Sequence, residues 1–180
     1  MSRYQFPTLL ISLSALVTMS TGITWMTTLN KEWTFECPKG RTIRSLMSSF
    51  ESNDRVWNFT CDLTDPKLNI TVCEWSGYIN GYRSHFHAQC PGDSILTGMS
   101  TYFDRETEDR RYNFLCCYPG ASATHACQYT PYLNAHGQPI SYRLLRAWYI
   151  RGFNTEVVSS DRLFSLNICR LDTYVATCYY

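Results

Sequence analysis

Three times in 180 residues the chain places an Asp-Arg pair at the head of an apolar run that ends in cysteine: "NDRVWNFTC" (53–61), "EDRRYNFLCC" (108–117) and "SDRLFSLNIC" (160–169). A motif that returns at a near-constant interval constrains the fold more than any composition does, because each copy must occupy the same place in a repeated unit. The copies extend backwards. "CPKGRTIRSLMSSF" starts at Cys37 and "CPGDSILTGMSTYF" at Cys90, while "YIRGFNT" (149–155) matches "ILTGMST" (95–101) through Gly152 and Gly98. That register sets Leu144 where Cys90 stands, so the starts lie 53 and 54 residues apart. Each unit is expected to run as a strand opening on Cys or Leu, a turn, a strand of alternating residues, a polar loop and the Asp-Arg strand.

The register assigns the cysteines. Cys37 and Cys61 open and close the first unit, Cys90 and Cys116 the second, and the third holds Leu144 and Ile168 in the same two places, an apolar pair instead of a bridge. Cys73 precedes Cys90 by 17 residues, and Cys127 precedes Leu144 by 17; the residue after the closing position is Cys117 in one unit and Cys169 in the next. The expected disulfides are Cys37–Cys61, Cys90–Cys116, Cys73–Cys117 and Cys127–Cys169, each contributing about 2–4 kcal/mol by restricting the unfolded chain. Cys178 is left over, either a free thiol or the bridge of a disulfide-linked dimer.

Parity supports the same frame. In "RVWNFTC" Trp57, Phe59 and Cys61 share one face of a strand, and Asn58 and Thr60 the other. The sequons at Asn58 and Asn69 are glycosylation acceptors, and a glycan on Asn58 requires solvent, which turns Trp57 to the core. Tyr112, Phe114 and Cys116, then Phe164, Leu166 and Ile168, keep the pattern. Thirteen tyrosines, five tryptophans and little helical periodicity favour strands. The expected fold is all-β: a pseudo-threefold repeat of three units of about 53 residues, β-prism-like, with a β-trefoil-like arrangement as the alternative. "TDPKLNIT" (64–71) and "YPGASATHA" (118–126) read as surface loops.

The first 22 residues read as a secretory leader: Arg3, an apolar run from Leu9 to Met19, then small residues at Ser20 and Gly22. The run is too short to span a bilayer comfortably, and no other segment reads as a membrane span. An exported chain with nine cysteines and no Cys-x-x-Cys points to disulfides rather than metal or redox chemistry. Residues 23–32 form a short N-terminal segment, and 33–180 one domain, with units at about 33–72, 73–126 and 127–180. Without Arg3 the chain carries 15 basic and 15 acidic residues, so no nucleic-acid partner is called for.

The thrice-used Asp-Arg-x-aromatic motif, the vicinal Cys116-Cys117 and "YIRG" (149–152) resemble the dermatopontin family of small secreted matrix proteins, over about residues 33–178. The resemblance implies a non-enzymatic extracellular-matrix protein with no cofactor. Its implied partners are dermatan sulfate proteoglycan, collagen, fibronectin, and integrin or surface glycans, and its implied role is fibril assembly and cell adhesion. Invertebrate members include haemagglutinins, so a soluble lectin of innate defence is the alternative. The chain departs from the family in having no acidic, Tyr-rich N-terminal segment: "ITWMTTLNKEW" (23–33) stands there. It also has Ala123 where the family usually carries a cysteine, which would leave Cys178 without its counterpart.

Two readings compete for the Asp-Arg pairs. In one, Asp54, Asp109 and Asp161 cap turns while Arg55, Arg110 and Arg162 stack at the rim on Trp57, Tyr112 and Phe164. In the other the arginines form repeated contacts for sulfate or carboxylate, which their forked geometry suits. A residue kept in every unit usually serves the unit, so the structural reading is preferred. For glycosaminoglycan contact the better local candidates are "DRETEDRR" (104–111) and "RLLRAWYIR" (143–151). The second offers Arg143, Arg146 and Arg151 with Trp148 and Tyr149. His85 and His87 share a strand face, but two ligands do not make a metal site.

Overall fold

The repeat requires one backbone unit built three times, and the computed structural model, which describes residues 24–64 and 68–173, contains three long antiparallel hairpins. They are β2 (Arg41–Glu51) with β3 (Asp54–Leu63), β6 (Ile95–Asp104) with β7 (Asp109–Tyr118), and β10 (Trp148–Val158) with β11 (Asp161–Thr173). The described residues are all β, with no helix. The expected leader and Cys178 lie outside them. Each motif aspartate is the first residue of the returning strand, directly across from the last residue of the outgoing one. Between β2 and β3 the turn is Ser52-Asn53, both with positive φ (50° and 62°), the backbone that matches the twist of a two-residue hairpin.

A short strand precedes each hairpin: β1 (Trp33–Glu36), β5 (Phe86–Gln89) and β9 (Ile140–Arg143). None of them pairs with the hairpin that follows it in the chain. β1 pairs with β6, β5 with β10 and β9 with β2, so the three hairpins exchange strands around a closed cycle. Two further strands, β4 (Val72–Tyr78) and β8 (Ser122–Tyr129), lie along β7 and β11. The result is three sheets, ordered β1-β6-β7-β4, β5-β10-β11-β8 and β3-β2-β9. Beside β3, residues 24–28 take the place that β4 and β8 hold elsewhere: Met26 N–H donates to Trp57 O at 3.0 Å, and Trp57 N–H donates to Thr27 Oγ1 at 2.8 Å.

All three outgoing strands carry a bulge at the same point, leaving Arg44, Thr97 and Arg151 out of register. The freed carbonyl of each accepts the N–H of the residue that opens another unit: Leu144 to Arg44 at 2.9 Å, Cys37 to Thr97 at 2.9 Å and Cys90 to Arg151 at 2.8 Å. Cys37, Cys90 and Leu144 are therefore equivalent, as the register has it, but each follows a short strand instead of opening one. The sequence marks the site by Gly98 and Gly152, where neighbouring backbone comes too close for a side chain.

The aromatic faces meet at the centre. Trp57, Phe114, Phe153 and Phe164 are fully buried, with Trp57 edge-on to Phe164 at 5.1 Å and Tyr112 to Phe164 at 6.0 Å. The disulfides are Cys37–Cys61, Cys73–Cys117, Cys90–Cys116 and Cys127–Cys169, the four pairs that the spacing gives. Leu144 and Ile168, the apolar stand-ins, belong to the same core cluster as Cys90 and Cys116. Both expected surface loops differ. Leu68 and Ile70 are buried against Ile95, Leu115 and Tyr149, and β8 occupies most of 118–126. Polar neighbours masked these apolar anchors in the sequence.

A Cβ on Gly152 would lie 2.1 Å from Ala88 O, and one on Gly98 2.7 Å from Phe35 O, in both cases backbone that cannot swing away. Gly152→Ala is expected to destabilise the protein by about 2–4 kcal/mol, measured by denaturant unfolding under oxidising conditions. An unchanged midpoint would contradict this packing.

Candidate functional site

The motif arginines are the first residues to place, because a guanidinium can hold either the fold or a ligand. Each lies on the core-facing side of its strand, and Arg55, Arg110 and Arg162 are 3%, 2% and 4% exposed. Each reaches the motif aspartate of another unit. Arg55 Nε and Nη2 grip Asp161 at 2.7 and 2.6 Å, Arg110 Nε and Nη2 grip Asp54 at 2.6 and 2.6 Å, and Arg162 Nη2 meets Asp109 at 2.7 Å. The partners run from first unit to third, third to second and second to first, a closed ring of three ion pairs. Two are bidentate, the strongest geometry for this pairing.

The rest of each arginine is held in parallel ways. Nη1 of Arg110 donates to Thr101 Oγ1 (2.7 Å) and Lys31 O (2.8 Å); Nη1 of Arg162 donates to Thr155 Oγ1 (3.1 Å) and Ser84 O (2.7 Å). Arg55 Nη2 donates to Gln138 O at 3.0 Å. The aspartates accept one backbone N–H apiece from a residue in left-handed conformation: Asn30 to Asp54 (2.7 Å), Arg83 to Asp109 (2.6 Å), Gly137 to Asp161 (2.9 Å). Asp161 also accepts its neighbour Arg162's N–H. The stacking expected on Trp57, Tyr112 and Phe164 is largely replaced. Arg55 lies over Phe50, Arg110 over Trp33 and Phe103, and Arg162 over Phe86, with Tyr112 farther at 5.8 Å. Phe50 and Phe103 lie directly across the hairpin from Arg55 and Arg110, and Trp33 and Phe86 come from the short strands β1 and β5. Burial pushes the Tyr112 hydroxyl beside this ring well above the ordinary phenol range, with Arg162 opposing the shift.

The symmetry is not complete: Arg162 Nε is buried without a partner, and the hydroxyl position differs in the first unit. Where two units have Thr101 and Thr155, the first has Ser48, whose hydroxyl is buried without a hydrogen bond, and Arg55 Nη1 also lacks one. Sequence reasoning missed a second repeated polar set. Asn80 Oδ1 accepts Tyr112 N–H and Nδ2 donates to Arg110 O; Asn134 does the same for Phe164 and Arg162. Thr27 fills that role towards Trp57. The signal was visible as "YIN" (78–80) and "YLN" (132–134), 54 residues apart.

The outer basic candidates do not converge. Arg143 lies on β9 in the sheet of β2, exposed, whereas Arg151 sits in the β10 bulge of another sheet and donates to Gly92 O at 2.5 Å. Arg146 lies between β9 and β10, exposed, and lines a cleft with Arg44, Asp62 and Tyr149. Arg111 lies over Tyr78 at 4.7 Å and donates to Asn80 O. His85 and His87 are exposed on one face, with His87 against the Tyr129 hydroxyl and Glu156, Asn154 and Tyr132 alongside. Desolvation, then the Glu156 carboxylate, raises the Tyr132 hydroxyl's pKa. Among the described residues no group of three or more His, Cys, Asp or Glu is placed to hold a metal ion, and no helix is long and apolar enough to cross a membrane. Asn69 is exposed; Asn58 is half-buried, its amide donating to Thr24 O at 3.3 Å.

The described residues thus form a disulfide-stapled, all-β fold whose repeated charges are paired in its interior. The family model for dermatopontin matches residues 27–173, and the chain belongs to the dermatopontin family, whose members are non-enzymatic proteins of the extracellular matrix. It is 31% identical to dermatopontin of Biomphalaria glabrata over 76% of this chain and 93% of that one. It is 28% identical to human dermatopontin over 83% of this chain and 78% of the relative. It is also 28% identical to the hemagglutinin/amebocyte aggregation factor of Limulus polyphemus, over 92% and 96%. No solved structure matches the chain significantly.

The ring makes two stability predictions. Asp54→Asn leaves the buried Arg110 without its counter-charge and is expected to cost about 3–5 kcal/mol in denaturant unfolding. Ser48→Thr rebuilds the hydroxyl contact of the other two units and is expected to add about 1 kcal/mol; a lower midpoint would mean that the asymmetry is not a packing defect.

Proposed function

We propose that this chain is a secreted extracellular-matrix protein that binds dermatan sulfate proteoglycan and collagen, and supports matrix assembly and cell adhesion. The observation that carries the reading is the family match over residues 27–173, which spans all three hairpins and the whole ring. Residues 1–22 would be removed as a leader, and Asn69 and Asn58 would carry glycans, Asn69 more readily because it is exposed. Fibronectin, and integrin or surface glycans, are further partners. Cys178 would either remain a thiol or join two chains. The three sheets would form a prism-like body of one domain over 33–180, in units of about 33–72, 73–126 and 127–180. In it the Asp-Arg motifs act as staples, since each guanidinium already faces a carboxylate, and ligands would meet the outer surfaces.

A soluble lectin or agglutinin is the second reading, favoured by the Limulus relative, which this chain matches almost end to end. Protein secreted from animal cells is expected to be retained on immobilised dermatan sulfate and to alter the turbidity time course of collagen fibril formation. Absence of both, with binding to a neutral sugar on a glycan array competed by the monosaccharide, would select the agglutinin instead.

A further inference from the structure

We infer that the cleft between the β2 bulge and the β9–β10 connection is an anion site for a sulfate or carboxylate group on an acidic saccharide, with Arg44 and Arg146 as its two cations. Naming a saccharide as the carrier rests on the proposed function; the anion site stands on its own geometry. The cleft encloses about 450 Å³ and is lined by Arg44, Asp62, Leu63, Thr64, Arg146, Ala147 and Tyr149.

Arg44 is the anchor. Its side chain is nine-tenths buried, and Nη1 donates to Leu145 O at 2.8 Å, which fixes the guanidinium plane. Nε is buried with no hydrogen-bond partner. The nearest carboxylate oxygen, on Asp62, stands 3.7 Å away on a side chain that is 58% exposed, beyond hydrogen-bonding distance. A buried guanidinium N–H without an acceptor is costly, so an arriving oxygen gains the full value of a charge-assisted bond.

The repeat supplies an internal control. At the same bulge position Thr97 has its hydroxyl against Cys117 Sγ at 2.7 Å, and Arg151 has Nη2 on Gly92 O and Nε on Cys90 O. The Arg151 Nε and the Thr97 hydroxyl are engaged by the fold, whereas the Arg44 Nε is buried without an acceptor, with only the Asp62 carboxylate 3.7 Å away. Arg146 faces the same cleft from its other wall, exposed and with no hydrogen bond or ion pair to another of the described residues. Among the described residues that line the cleft, two guanidinium groups face one loosely held carboxylate, which leaves the site net positive. Asp62 then acts as an internal competitor, which an incoming anion displaces from the mouth.

The test is calorimetric titration of the full-length secreted protein with a dermatan sulfate hexasaccharide at 50 mM NaCl, alongside Arg146→Ala, Asp62→Asn and Arg143→Ala. All three substitutions are at exposed positions, so folding does not confound them. The expected result is binding about tenfold weaker for Arg146→Ala, severalfold tighter for Asp62→Asn and unchanged for Arg143→Ala on the neighbouring strand. Wild-type binding that neither Arg146→Ala nor Asp62→Asn alters would overturn the site while leaving the saccharide reading intact. A parallel NMR titration with sodium sulfate follows the Arg44 Nε–H. A saturable shift without hexasaccharide binding would support the anion site and reject the saccharide carrier, and no shift with no binding would overturn both.

Discussion

Three buried arginine–aspartate pairs, closed head to tail, are the constraint on which the rest of the molecule depends. Taking either charge alone into the interior costs several kcal/mol, so neither side chain can be buried until its partner from another hairpin has arrived. The ring therefore couples the three hairpins to one another. The exchanged strands β1, β5 and β9 follow the same cycle through the backbone, each bringing to the next hairpin the turn whose carbonyls and N–H groups complete the ring. A hairpin on its own would lack both its ion-pair partner and the strand that covers its flank.

The disulfides act on a different part of the same problem. They fasten the far ends of the hairpins, where β3, β7 and β11 run beyond the ring and burial thins towards exposed Asp62, Tyr118 and Arg170. Between staple and ring lies a core of large aromatics. The third unit shows that a bridge and an apolar contact are interchangeable at one of these points, since Leu144 and Ile168 replace Cys90 and Cys116 within one continuous core. With its interior charges so engaged, the molecule presents its outer sheet faces and clefts to any partner.

Much of this was legible before any coordinate. The 53- and 54-residue offsets located the three hairpins, named the bridged cysteines and set Trp57, Tyr112 and Phe164 inward, because strand parity and covalent spacing are local properties. The partner of each arginine was not legible. Arg55 meets Asp161 across 106 residues, and nothing near either residue encodes which of three identical motifs the other will find. The loops misled for a related reason: Leu68 and Ile70 lie among polar neighbours, and the pocket that buries them is made by Ile95, Leu115 and Tyr149 from two other elements. The basic stretch 143–151 looked like a single patch because its arginines are close in sequence. A strand reversal sends Arg143 and Arg151 into different sheets.

By itself, then, the sequence determined the unit: its period, its strand faces, its cross-links and the family to which the chain belongs. Those follow from chemistry within reach of one hairpin. The tertiary structure alone decided the order in which units clasp one another, and with it which cations are buried against carboxylates and which stay open. A charge is fixed by its nearest partner in space, and in this chain the nearest partner nearly always comes from another unit.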